Sequence, residues 1–224
     1  MADPFDARIK RGFGMICVAP PFGGKTHFIL QLLKNANRLI DRPFDYIYWF
    51  YGEHSTTIDE LNSIGKVQTV AGLPENLDQY IHSENQQHGL FIFDDLMQNI
   101  SNSEEIIQLV ANKCQHKRIS WIITLQNLFH HGKSRITILR CSHYLVLFRN
   151  PLDSSIGHHL ARRILPSNPQ TFIRIYEQCT QKPRGYLFVD GHQTTPDRAR
   201  FRTDIFNDVQ KVFIANSHRG RRRP

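Results

Sequence analysis

The run APPFGGKT, Ala19 to Thr26, has the residue types and spacing of a loop that holds phosphate. Such a loop needs backbone N–H groups aimed inward, small residues where the chain passes close to the anion, and a cation that reaches the outer phosphates. Gly23 and Gly24 permit that path and Lys25 supplies the charge. The Thr26 hydroxyl is placed for Mg²⁺ on the first turn of a following helix, whose positive end faces the anion. Ala19 stands where a first glycine is usual, and its side chain is still small. The candidate nucleotide segment is therefore Ala19, Pro20, Pro21, Phe22, Gly23, Gly24, Lys25, Thr26 and His27, with ATP and Mg²⁺ as the expected cofactors. The alternative is a glycine-rich turn bearing a surface lysine. The strand-like FGMICVA before the loop and the apolar-striped HFILQLLKNANRLI after it favour the phosphate loop.

A second signal is LFIFDDL at 90–96, an apolar strand ending in two carboxylates. That arrangement is costly unless water, a metal or a partner receives the charges. In a nucleotide-hydrolysing site Asp94 holds the water shell of Mg²⁺, while Asp95 points to the γ-phosphate side and orients or deprotonates the attacking water. Asp95 as the cap of the next helix is the competing reading. The following apolar run, ISWIITLQ at 119–126, ends in Gln126. If its strand lies between the phosphate-loop strand and the Asp94 strand, Gln126 reaches the γ-phosphate and senses its presence.

Positioning these groups requires a sheet. Apolar runs alternate with amphipathic stretches along the whole chain, the rhythm of an α/β fold with a mostly parallel central sheet and helices on both faces. Strands are expected at 13–19, 45–51, 66–70, 90–95, 119–126, 143–149 and 185–191, and helices at 26–40, 57–64, 75–84, 103–117, 155–164 and 169–180. At 224 residues one domain is expected, spanning 1–207, with 208–224 as a basic, flexible tail. No apolar run approaches the length of about 20 residues that spans a bilayer, so no membrane partner is expected. The first residues read as neither signal nor transit peptide, which places the protein inside the cell that makes it. Cys17, Cys114, Cys141 and Cys179 lack CxxC spacing and are expected to be buried, reduced thiols.

A formal charge of +8 fits a polyanionic partner. Arg202 contributes to the excess, as do Arg219, Arg221, Arg222 and Arg223 in the tail, which reads equally as a solubilising end or as a nucleic-acid or nuclear-import element. His130–His131 and His158–His159 are not expected to bind metal, because adjacent histidines on a helix diverge and no acidic or thiol ligand completes a set. His130 and His131 are better placed in a polar loop. The aromatic run YIYWFY at 46–51 is expected as a buried strand rather than a stacking platform for bases.

Taken in order, the phosphate loop, FIFDD, TLQNLFHHGKSR, SHYLVLFRNPLD and QKPRGYLFVDGHQTTPDRARFRTDIF resemble the FtsK–HerA-type DNA-packaging ATPases of Polinton/Maverick elements and adintoviruses, over roughly residues 10–206. The resemblance implies a P-loop NTPase core of the RecA-like (ASCE) type. It implies a homo-oligomeric ring, a pentamer or hexamer, that drives double-stranded DNA into a preformed capsid. A capsid or portal component would be a partner, and the work would be done in the host cell interior, in the nucleus at assembling virions. The matching positions are Lys25 and Thr26 for the phosphate loop, Asp94 for Mg²⁺, and Asp95 and Gln126 for catalysis. Arg135 matches an arginine finger directed at a neighbour's nucleotide, and Arg149 is the second candidate. Leu152 departs from the family, which commonly has arginine there. A helicase or small-molecule kinase on the same loop, and a nucleotide-gated DNA-binding module without turnover, are the alternatives. A kinase would carry an arginine-rich lid segment over the phosphates, which this sequence does not show, and the intact Asp94–Asp95 pair argues against the module.

Overall fold

The computed structural model describes residues 6–53, 60–61, 65–82, 87–96, 100, 103–128 and 133–215. Nine strands form one sheet: β1 Gly14–Val18, β2 Tyr46–Tyr51, β3 Val67–Ala71, β4 Gly89–Asp94, β5 Ile119–Leu125, β6 Tyr144–Phe148, β7 Tyr186–Asp190, β8 Phe201–Thr203 and β9 Lys211–Phe213. Their order is β3-β2-β4-β5-β1-β6-β7-β8-β9. The six strands from β3 to β6 run parallel, and β7, β8 and β9 continue the sheet antiparallel. β5 pairs with β1 on one side and β4 on the other, the placement on which the reading of Gln126 depended.

Alternation along the strands divides the core between the two sheet faces. On β1, Met15 and Cys17 pack with one face while Ile16 and Val18 pack with the other. On the first face lie α1 Lys25–Lys34 and the short α2 Ala36–Leu39, buried through Phe28, Ile29, Leu32, Leu33 and Leu39. The opposite face carries α3, α4, α5 and α6. The first of these runs Glu104–Gln108, passes through a π-helical stretch Leu109–Lys113 and ends Cys114–His116. The others are α4 Lys133–Cys141, α5 Ser155–Ile164 and α6 Pro169–Cys179. The start of α6 is chemically fixed: the Asn168 side chain accepts from Thr171 N at 3.3 Å and Pro169 opens the first turn.

The strand run YIYWFY is buried sheet, with Tyr46 stacked on His82 at 4.1 Å between ring centroids. Several expectations are corrected. Within the helix expected at 75–84, the described residues, 75–82, hold a 3₁₀ turn, Leu77–Tyr80, in place of a helix. Helix α4 was not expected, nor were β8 and β9. Lys211–Phe213, assigned from sequence to the flexible tail, pairs with β8 through Phe201, Arg202 and Thr203. Arg202 is no surface cation: it is 2% exposed, its Nη2 lies 2.7 Å from Asp190 Oδ2, and its guanidinium sits over the Phe188 ring. Residues 216–224, including the tail arginines, lie outside the described residues, as do His130, His131 and most of the expected helix at 57–64. Of the cysteines, which are all free, Cys17, Cys114 and Cys179 are buried and Cys141 is partly exposed.

Candidate nucleotide site

The site lies beyond the carboxyl ends of the parallel strands, where open α/β sheets hold ligands. Ala19 N donates to Leu125 O at 3.1 Å, so the loop leaves β1 while still tied to β5. Gly23 N returns to Pro20 O at 3.0 Å, closing the turn. A Cβ added at Gly23 would come within 2.7 Å of Ala19 Cβ, so the pair needs glycine at one position and a small residue at the other. Gly24 has φ 105, which glycine adopts at least cost, and turns the chain directly into α1.

Lys25 is 8% exposed, and its Nζ donates to Ala19 O at 2.9 Å and Pro20 O at 3.1 Å. Burial pushes its pKa down, against the attraction of Asp94 and Asp95. A buried ammonium held by two carbonyls of its own loop is poised for a stronger anionic acceptor. Asp94 ends β4 and is 7% exposed. Its Oδ2 accepts from Thr26 Oγ1 and its Oδ1 from Thr124 Oγ1, each at 2.8 Å. Burial raises the Asp94 carboxyl despite these two hydroxyls. The Thr26 hydroxyl beside the Asp94 carboxylate suits Mg²⁺ that keeps most of its ligands as water and phosphate oxygen. Among the described residues no group of three or more His, Cys, Asp or Glu forms a metal site built by protein alone.

Asp95 N donates to Thr124 Oγ1 at 3.0 Å, and Gln126 Nε2 donates to Asp95 Oδ1 at 3.3 Å. One threonine of β5 thus holds the Asp94 carboxylate at the end of β4 and the backbone of Asp95 just beyond it. The resulting cleft, about 460 Å³, brings together Pro21, Phe22, Gly23, Gly24, Lys25, Thr26 and His27 with Asp94, Asp95 and Gln126. Ala19 and Pro20 support it from below through their carbonyls.

Two residues that were not singled out from sequence join the same cleft. Glu53 follows β2, where Gly52 N donates to Asp94 O at 3.1 Å. Arg184, from the KPRG turn before β7, reaches the loop from the other side. A Cβ on Gly24 would lie 3.4 Å from the Phe148 ring and 3.5 Å from Arg184 Cγ. Among the described residues, Phe22, Asp95, Arg118, Arg184 and Asp204 are the non-glycine residues with positive φ. Three of them line this cleft, a concentration of backbone strain of the kind found at functional sites. A tight turn places Arg184: Gly185 N donates to Lys182 O at 2.8 Å, and a Cβ at Gly185 would lie 2.6 Å from Cys179 O.

Arg149 is elsewhere, in a separate cleft with His158, Tyr176 and Glu177. The side chain of Arg135 lies outside the described residues, although its backbone belongs to α4. Leu152 is fully exposed.

The family model of the poxvirus A32 protein matches residues 5–146, which carry the loop, Asp94, Asp95 and Gln126. The chain belongs to the poxvirus A32 protein family. No curated protein is close enough in sequence to count as a match. Among solved structures, the chain is similar to the DNA-packaging ATPase B204 of Sulfolobus turreted icosahedral virus, with TM-score 0.57 and 11% identity over 84% of this chain and 96% of that one. It is also similar to the genome packaging NTPase B204 of Sulfolobus turreted icosahedral virus 2 in complex with ATP-gammaS, with TM-score 0.55 and 13% identity over 82% and 95%. At these identities the likeness concerns the fold. That fold is the RecA-like P-loop NTPase fold, with a mostly parallel central sheet and helices on both faces.

Proposed function

We propose that this A32-family chain is an ATPase that drives double-stranded DNA into a preformed viral or virus-like capsid. The observation that carries the reading is the pairing of Asp95 with Gln126 in the same cleft as Lys25 and the Thr26–Asp94 contact. A plain anion site needs the loop alone; the second carboxylate and the sensor amide are what hydrolysis adds. Family membership and the fold shared with the B204 packaging ATPases support the application to DNA.

Lys25 would leave its loop carbonyls for the outer phosphates, with the opening N–H groups of α1 facing the same anion. Thr26 would hold Mg²⁺ directly and Asp94 would hold it through water; bound Mg²⁺ neutralises charge on the phosphate oxygens. Asp95 orients the attacking water and takes its proton, while Gln126, bonded to Asp95, registers the γ-phosphate. Arg184 contacts the phosphates of its own chain from the β6–β7 side of the loop. The protein acts as a homo-oligomeric ring of five or six subunits, with Arg135 of one subunit completing the site of the next. A capsid or portal component anchors the ring at virions assembling in the host nucleus. The same residues support kinship with the FtsK–HerA-type ATPases of Polinton elements.

ATP turnover measured with and without duplex DNA tests the reading. Hydrolysis stimulated by unbranched duplex is expected. Strand separation on forked duplexes would make the protein a helicase, and tight ATP binding without turnover would make it a nucleotide-gated DNA-binding module.

A further inference from the structure

A packaging ATPase must grip DNA somewhere, and one surface answers the chemistry. Helix α5, SIGHHLARRI, is split lengthwise. Ile156, Gly157, Leu160 and Ala161 are buried against the sheet. Ser155, His158, His159, Arg162 and Arg163 are all exposed. The exposed positions fall at i, i+3, i+4, i+7 and i+8, a single stripe along one helix face. The stripe carries no carboxylate. Asp153 and Glu177 lie toward its N-terminal end, where Asp153 already accepts from Ser155 N and Oγ.

At the other end the stripe meets cations from elsewhere in the chain. Arg163 and the exposed Arg140 of α4 line one cleft of about 350 Å³, together with Ser142, His143 and Arg200. Arg200 is committed to Asp197 and to the carbonyls of Asp190 and His192. The carboxylate in the wall, Asp190, is taken by Arg202 and Thr195. Arg140 and Arg163 are therefore the groups of this cleft facing outward. The negative C-terminal end of the α5 dipole would be served by one arginine. Here Arg163 converges with Arg140 of another helix while Arg162 stands exposed on the same stripe, and together the three make an anion-binding surface.

We infer that the exposed face of α5, continued by Arg140, is the surface on which this chain holds the phosphate backbone of double-stranded DNA. The inference rests on the translocase reading and adds the place of contact. From Ser155 to Arg163 the stripe runs about 12 Å. One strand of B-DNA presents about three or four phosphates over that length of axis; the basic part of the stripe, His158 to Arg163, covers about 7.5 Å of it, room for about two phosphates, the number that Arg162 and Arg163 can neutralise. Contacts of this kind do not read base sequence, as a packaging motor requires.

The test is the affinity of the full chain for a fluorescent duplex of mixed sequence across a salt series. Arg162→Glu with Arg163→Glu should lower the slope of log affinity against log salt by about 1.8, since each phosphate that is no longer neutralised takes away about 0.9. Arg162→Lys with Arg163→Lys should retain the slope, since point charge suffices. Arg42→Glu with Lys66→Glu makes the same charge change at the far edge of the sheet, beside β2 and β3, and should leave the slope near its original value; unchanged melting curves show that each variant folds. Equal weakening by the far-edge pair would assign binding to net charge and overturn the inference. Native affinity in the Arg162/Arg163 glutamate variant would overturn it too, while leaving a DNA translocase that grips elsewhere. An unaltered chain that binds phosphatidylserine vesicles but no duplex would overturn the inference and the translocase reading together.

Discussion

Lys25, Asp94 and Asp95 sit within one cleft, and the proposed function gives them separable jobs that substitutions should distinguish. Lys25→Ala removes a charge-assisted contact of a class contributing about 1.5–3 kcal/mol, roughly ten- to a hundredfold in ATP affinity, and turnover should vanish with it. Unchanged ATPase activity would sink the nucleotide site. Asp95→Asn keeps Thr26, Asp94 and Lys25 in place, so ATP should still bind while hydrolysis falls steeply; parallel loss of binding would reassign Asp95 to folding or helix capping. Asp94 makes a different prediction, about pH. Burial raises its carboxyl above the ordinary 3.8, so the folded chain holds the Asp94 proton more tightly than the unfolded chain does. Its contribution to stability is full below 3.8 and is lost as pH rises through the folded value. Asp94→Asn, which cannot ionise, should therefore melt higher than the unaltered chain at neutral pH without nucleotide, by about 2–4 °C for each ~1 kcal/mol recovered. It should gain less when Mg²⁺ and ATP are added. A lower melting point at neutral pH, in the absence of nucleotide, would show that the hydroxyls of Thr26 and Thr124 outweigh desolvation.

At the scale of elements, the turns decide what enters the site. Arg184 reaches the phosphate loop because Gly185 lets the chain pass under Cys179 O and Lys182 O; a Cβ there would sit 2.6 and 2.9 Å from these backbone oxygens, which have no rotamer to escape into. Gly185→Ala should open the turn, cost about 1–3 kcal/mol of stability and weaken ATP binding as Arg184 moves. Gly65→Ala, with nothing within 4 Å of the added methyl, is the control and should leave both unchanged. Native ATP affinity in Gly185→Ala would remove Arg184 from the site. The same turn shows what sequence could and could not reveal. Strands β1 to β7 and helices α1, α3, α5 and α6 were legible, because long apolar runs and stripes report burial directly. That the proposed phosphate loop, Asp94, Asp95 and Gln126 would meet in one cleft was legible because each terminates or follows a strand. Arg184 and Glu53 were not, since an exposed charge near a turn looks the same whether it faces bulk water or a cleft assembled from distant segments. Strands β8 and β9 were missed for lack of length, three residues each. Arg202 misled because its partner, Asp190, is a neighbour only across the β7–β8 pairing.

At the scale of the whole molecule, the question is whether one chain holds a complete site. The cleft of a single chain contains Lys25, Asp94, Asp95, Gln126 and Arg184, while Arg149 faces a different cleft. If Arg135 works across a subunit boundary, an Arg135→Ala chain still binds ATP through its own Lys25 but leaves its neighbour's site incomplete. A Lys25→Ala chain has the opposite defect, so some boundaries in a mixed ring join an intact loop to an intact arginine. Each variant alone should be inactive, and the mixture should regain part of the DNA-stimulated turnover. A working arginine finger contributes about 10³-fold or more in rate, enough to register when few boundaries are productive. Arg184 supplies the contrast. It stands against the loop of its own chain, so Arg184→Ala and Lys25→Ala damage the same site, and any boundary with an intact loop lacks the intact Arg184 beside it. Mixing those two should restore nothing beyond what the Arg184→Ala chain does alone. Recovery with Arg135→Ala and none with Arg184→Ala would establish one arginine in trans and one in cis. Failure of the Arg135→Ala mixture, with mixed rings verified by mass, would instead place Arg135 within its own subunit or move the shared role to Arg149.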